Sequence, residues 1–320
     1  MRSASAPATV PAPAAATVPA PAPAAAIGLL AARLLLPLLL LMPPAPLAPA
    51  MAAEPAAASA EADEADAEAS AAPADSAGDH YAGSYVDDEE RKRFAVVPWR
   101  IGEYFQFSID WNGLNGGSSL MQVQNLHTVD GRRCYRIVTK AESNSFVSRF
   151  YKVRDRAESS VDAESLFSRR FVKRLREGGY KKDVNVRFDQ EARKARYENG
   201  KEIDVAPGVH DVLSAFYYVR TRPLPDGATL AVPTHDNEKS YEMEVQVLRR
   251  ESVEVPAGKF SCVVVEPKLK SEGIFKSKGS IQVWLTDDDR RLPVMVRSEV
   301  PVGSISVRLT DYRLAFEGRR

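Results

Sequence analysis

The chain has 320 residues, equal numbers of acidic and basic side chains, and 44% hydrophobic residues. Its neutrality is a sum of unlike parts: residues 54–90 carry twelve acids and no Lys or Arg, whereas residues 91–320 carry 41 bases and 31 acids. The folded part is therefore basic, long enough for one sizeable domain, and without any nucleic-acid recognition module.

Residues 1–52 form an Ala/Pro-rich leader that cannot bury a core. Within it Ile27–Met42 is apolar, interrupted only by Arg33 and Pro37, and Ala48-Pro49-Ala50 and Ala50-Met51-Ala52 are small-x-small cleavage sites. This pattern predicts a secretory signal removed near Ala52 and a periplasmic protein. The alternative is an uncleaved N-terminal membrane anchor, for which the Pro-interrupted run is short. Residues 53–93 predict a disordered acidic arm, a solvated spacer or a shield over the basic face. Residues 94–320 predict a β domain.

Tyr104–Asn112 opens that domain with Phe105, Phe107, Ile109 and Trp111 alternating with polar residues, a period of two. Asn112-Gly113-Leu114-Asn115-Gly116-Gly117 predicts the turn and Leu120–Leu126 the return strand. Cys134–Ala141 is the third strand and Asn144–Phe150 one short helical turn. Tyr151–Val161, Leu166–Arg176 and Tyr180–Asp189 follow as strands, separated by Asp162-Ala163-Glu164 and Glu177-Gly178-Gly179. Asn199-Gly200 turns a short hairpin.

Gly208–Arg220 breaks the β pattern. Val212, Phe216 and Val219 fall at i, i+4 and i+7 with Leu213 beside them, Asp211 is placed as N-cap, and Pro223 and Pro225 forbid continuation. Beyond Asp226-Gly227 strands resume: Tyr241, Met243, Val245 and Val247 share a face, and Phe260–Glu266, Gly279–Leu285, Leu292–Val300 and Ser304–Phe316 complete the set. The predicted fold is mainly β, a strongly curved antiparallel sheet or half-barrel with one short helix packed across it. Charges within most strands argue against an outer-membrane barrel.

Ile101-Gly102-Glu103-Tyr104, Trp111-Asn112-Gly113-Leu114, Tyr151-Lys152-Val153-Arg154-Asp155 and Glu177-Gly178-Gly179 resemble, in order, the domain-of-unknown-function 3108 family. Asp211–Arg220, Gly258-Lys259-Phe260-Ser261-Cys262, Trp284-Leu285-Thr286-Asp287 and Leu292-Pro293-Val294 continue the likeness. The resemblance implies an exported bacterial β-rich protein and supplies no reaction, no cofactor and no catalytic residue.

The residues themselves show no enzyme signature. No phosphate loop, dinucleotide fingerprint or nucleophile elbow occurs, and Ser214 reads as a polar contact at a helix start. His210-Asp211 and His235-Asp236 are pairs rather than metal cages, and Asp287-Asp288-Asp289 reads as a hairpin turn. Carboxylate pairs at Asp110 with Glu103 or Asp155 with Glu177 are the hydrolase alternative. Cys134 and Cys262 leave a disulfide open.

The binding signal is basic and aromatic. Arg149–Arg196 holds fifteen Lys or Arg against eight acids. Lys152, Arg154 and Arg156 fall on one strand face, Arg170, Arg174 and Arg176 on one face of the next, and pairing predicts a positive stripe. Trp111, Phe216, Tyr217 and Trp284 are expected to line a concave apolar cleft beneath the helix. Together these predict non-catalytic binding or carriage of an amphipathic or anionic envelope component, lipid or lipopolysaccharide-like. The membrane surface is a possible partner; nucleic acid, metal and cofactor are not expected. A structural or glycan-binding partner in envelope assembly is the alternative.

Overall fold

Alternation of apolar and polar residues produces strands through most of the computed structural model, which describes residues 88–269, 280–299 and 303–314. The leader, its signal segment and the arm as far as residue 87 lie outside these residues, as do the expected strand ends at Gly279, Val300 and Phe316. Six residues assigned to the disordered arm are helical: α1, Asp88–Arg93, has Arg91, Lys92 and Arg93 in its last turn and a Glu89–Lys92 ion pair of 2.5 Å. Acids leading and bases trailing suit the helix dipole, and Arg133 holds Glu90 at 3.2 Å.

Among the described residues fourteen strands form one antiparallel sheet. They are β1 Tyr104–Trp111, β2 Leu114–Val129, β3 Arg132–Ser143, β4 Arg154–Asp162, β5 Ser168–Glu177, β6 Tyr180–Asp189 and β7 Lys194–Tyr197, then β8 Glu202–Asp204, β9 Thr229–Asp236, β10 Lys239–Val255, β11 Gly258–Leu269, β12 Ile281–Thr286, β13 Pro293–Glu299 and β14 Ser304–Arg313. The order β8-β7-β6-β5-β4-β3-β2-β1-β14-β13-β12-β11-β10-β9 places β14 beside β1. The short helices are α2, Ser145–Ser148, and α3, Val212–Arg220.

Two differences from expectation have local causes. The first turn is only Asn112-Gly113, both at positive φ (48° and 83°), so Leu114–Gly117 already belong to β2. β9 was not foreseen because Pro233 interrupts its pattern; it is the edge strand, where a missing N–H is tolerated.

The backbone ladder stays open, and other contacts draw its two edges together. The segment before α3 ties β5 to the β9 edge: Ser168 N donates to Val209 O (3.3 Å), His210 N to Pro233 O (2.9 Å), and His210 pairs with Thr234 in parallel. Lower down, Tyr197 Oη and His235 Nε2 are 2.7 Å apart, His235 Nδ1 meets Ser240 Oγ at 2.9 Å, and Ser240 Oγ donates to Asp204 O at 3.1 Å. Lys201 pairs with Glu238 across the same seam.

Helix α3 occupies the concave side. Leu213, Ala215 and Tyr217 have no exposed surface, and Arg220 at its end lies 5.6 Å from the Phe105 ring centre. That contact identifies the Phe105, Phe107, Ile109 face of β1 as the inner one.

Cys134 and Cys262 are both free and buried, and burial pushes each thiol up to about 12. A thiol reagent at neutral pH is expected to label neither in the native protein and both after urea unfolding; fast native labelling would show these strands to be open.

Candidate binding surface

Strands β3 to β6 turn a basic face outward. On β4, Ser159 reaches inward to Asp211 of the α3 cap, so Arg154, Arg156, Glu158 and Ser160 face out. The register runs Lys140–Arg156–Arg174 straight across β3, β4 and β5. Four residues along, Arg136, Ser160, Arg170 and Arg187 form a second row. Between the rows sits Glu158, bound by Arg136 at 2.8 Å and Arg156 at 3.2 Å. Burial holds the His127 imidazole below its ordinary range, and Arg136, Arg170 and Arg133 push it the same way.

Of the six stripe residues expected, Arg154, Arg156, Arg170, Arg174 and Arg176 occupy the outer face of the two paired strands, while exposed Lys152 lies just before β4. Arg170 donates to Asn185 Oδ1 (2.9 Å) and Arg176 pairs with Asp183 (2.7 Å). Among the described residues Lys140, Arg154 and Arg174 have no ion-pair partner. Lys140 and Arg136 extend the stripe onto a strand that the sequence had not linked to it.

The expected aromatic cleft is not what the fold builds. Phe216 is 9% exposed and Tyr217 fully buried; they are core, not lining. Tyr217 stands edge-on to Trp99 at 5.0 Å and lies 4.9 Å from the Arg220 guanidinium. Trp284 is not on the concave side. Its register partners Val264 and Met295 continue to Arg308, which bonds Asp110 on the outer face of β1. There Trp284 donates to Glu251 Oε1 at 2.7 Å and lies under the Arg249 guanidinium at 5.9 Å. Trp111 faces inward but stands half-buried at the sheet's end.

The two proposed carboxylate pairs fare differently. Glu103 faces in and pairs with Arg220 (2.7 Å), while Asp110 faces out and takes Arg308 (3.1 Å), so they do not meet. Asp155 and Glu177 do come together, both nearly closed from solvent. Burial pushes the Asp155 carboxyl up, against the pull of the Arg176 N–H and Glu177. Inside the same shell Lys173, with no exposed surface, reaches Asp236 at 2.9 Å. Such enclosure suits internal structure rather than hydrolysis of a substrate. A shallow depression of about 320 Å³ opens between Ser108, Asn115, Ser118 and Asn144. Among the described residues no three His, Cys, Asp or Glu side chains come together as a metal cage, and no helix is long and apolar enough to cross a membrane.

A family model described as "Protein of unknown function (DUF3108)" matches residues 106–310. No curated protein matches the chain. Among solved structures, the beta-barrel-like protein of domain of unknown function DUF1849 from Brucella abortus is 10% identical, with TM-score 0.50 over 68% of this chain and 100% of that one. A protein provisionally described as exported, from Bacteroides fragilis, is 13% identical, with TM-score 0.32 over 69% and 99%. A provisionally described lipoprotein from Parabacteroides distasonis is 12% identical, with TM-score 0.29 over 68% and 97%. The first of these likenesses concerns fold alone.

Proposed function

The chain belongs to the family described as "Protein of unknown function (DUF3108)", and from that premise we propose a non-catalytic envelope protein that binds phosphate-bearing, lipopolysaccharide-like components on its convex face. The observation that carries this reading is the row Lys140–Arg156–Arg174. Like charges directly opposite in a sheet cost stability; Glu158 offsets Arg156 and Asp183 lies opposite Arg174, while Lys140 and Arg174 make no ion pair among the described residues. An anion with two or more phosphates would relieve that repulsion through charge-assisted hydrogen bonds. The envelope location rests on the apolar Ile27–Met42 segment and the cleavage sites that follow it.

This reading puts the ligand outside the shell because α3 packs on the concave side, which favours surface binding over carriage in a hollow. The test uses delipidated, phosphorylated lipopolysaccharide core, which needs no bilayer. Titration calorimetry at low salt should give binding that Arg156→Gln/Arg174→Gln weakens about 10–100-fold, the loss of two charge-assisted contacts. Affinity should also fall as salt rises. Equal affinity of the variant and the parent would remove the proposal.

A further inference from the structure

One end of the sheet carries a second feature, independent of the convex stripe. The β1–β2, β3–β4 and β5–β6 connections all lie at this end, as antiparallel order requires. There Leu114 is 69% exposed, Phe146 68% and Phe150 66%. Phe146 and Phe150 are four residues apart and stand edge to face at 5.9 Å, projecting from α2 and the residues just after it.

These rings are held out by a braced support, not by a loose loop. Asn144 caps α2 by accepting from Val147 N at 2.9 Å. Its backbone N donates to Gly116 O (2.9 Å) and its side-chain amide to Asn115 O (2.8 Å), which fixes α2 beside Leu114. Ser143 and Ser148 hydroxyls meet at 2.7 Å. On the other side the Tyr151 ring lies on Gly178, where a Cβ would come within 2.9 Å of it, and Gly178 N donates to Lys152 O at 2.8 Å. Three connections thus form one fixed rim with apolar side chains at its tip.

Charge names the occupant. Arg149, Lys152 and Lys181 are exposed around the tip, and among the described residues none has an ion-pair partner. Two exposed acids lie at this end, Glu142 opposite Arg154 and Glu299 opposite Ser304; Arg149, Lys152, Arg154 and Lys181 outnumber them. Apolar tips flanked by cations match an anionic bilayer, where rings enter the head-group boundary and cations meet phosphates. A protein groove would accept the rings as well, but it gives no reason for the excess of cations beside them.

We infer that this rim is a bilayer-docking edge, with Phe146, Phe150 and Leu114 entering the interface of an anionic membrane and Arg149, Lys152 and Lys181 resting on its head groups. The protein then stands end-on, its convex stripe beside the membrane surface.

Flotation with vesicles of phosphatidylglycerol and phosphatidylethanolamine tests this, with pure phosphatidylcholine as comparison. The parent chain should float with the anionic vesicles and hardly with the neutral ones. Phe146→Ser/Phe150→Ser should bind the anionic vesicles about 30-fold more weakly, as loss of two partly inserted rings predicts. Its melting should be unchanged, because both rings are exposed. Brominated acyl chains should quench Trp111, since Trp99 and Trp284 are 1% and 4% exposed. Equal vesicle binding by parent and double-serine variant would overturn the inference, and so would a parent that binds no anionic vesicle. The delipidated lipopolysaccharide titration reads the convex stripe without a bilayer, so either idea can fail while the other stands.

Discussion

Replacing Arg220 by Met should lower stability by about 3–5 kcal/mol, because it strands Glu103 as an unpaired buried charge. Neither side chain of the pair is more than 2% exposed. The Arg220 guanidinium meets both Glu103 carboxylate oxygens, at 2.7 and 3.0 Å, and donates to the Arg291 and Arg290 carbonyls at 3.1 and 3.2 Å. Trp99, Phe105 and Tyr217 surround it with ring faces at 4.9–5.6 Å. One side chain therefore ties the end of α3 to the start of β1 and to the β12–β13 turn. For a β domain of this size the melting temperature should drop by about 10–15 °C. Glu103→Leu/Arg220→Met should recover a large part of the loss, since replacing both charges removes the desolvation penalty along with the attraction. A urea-unfolding cycle over the two singles and the double reads the coupling. Additive single effects, or a loss below about 1 kcal/mol for Arg220→Met, would mean that the pair carries no structural weight.

Little of that cluster was legible in the chain. Arg220 sits in the last turn of a short helix, where a solvated cation is ordinary, and its partner lies 117 residues away. Lys173 and Asp155 are similar cases. A charge in a strand reads as outward-facing, yet these fall in step with Phe171, Leu175, Ala157 and Val161 and share their inner face. Alternation was sufficient for β1, where one face is polar, and for the outward set Arg154, Arg156, Arg170 and Arg174. It failed for Trp284, because Val283 and Leu285 on either side are equally apolar and a period of two then names no face. The Phe146–Phe150 pair was legible as a short helical turn but not as a surface. Nothing local distinguishes an exposed ring from a buried one; only the docking of Asn144 onto Asn115 and Gly116 fixes where the rings point.

The helix cap, in contrast, was visible, and its replacement has the other large expected effect. Asp211→Ala should destabilise the domain by about 3–6 kcal/mol, the sum of a lost cap and two orphaned hydroxyls. Asp211 has no exposed surface. One carboxylate oxygen accepts from Leu213 N (2.8 Å) and Ser214 N (2.9 Å) at the start of α3. The other accepts from Ser159 Oγ of β4 (2.6 Å) and from Ser168 Oγ of β5. Burial pushes the carboxyl up, and all four donors oppose that push. The residue therefore does two things at once: it ends the loop that becomes α3 and fastens that end to the sheet. Ser159→Ala, which removes one donor and strands nothing, should cost only about 1 kcal/mol. Asp211→Asn should fall between, because its oxygen can still cap the helix while its amide donates to hydroxyls that rotate to accept. Urea unfolding of the three variants checks the order. If Asp211→Ala cost no more than Ser159→Ala, α3 would be held by apolar packing alone and the sheet would close around it without this anchor.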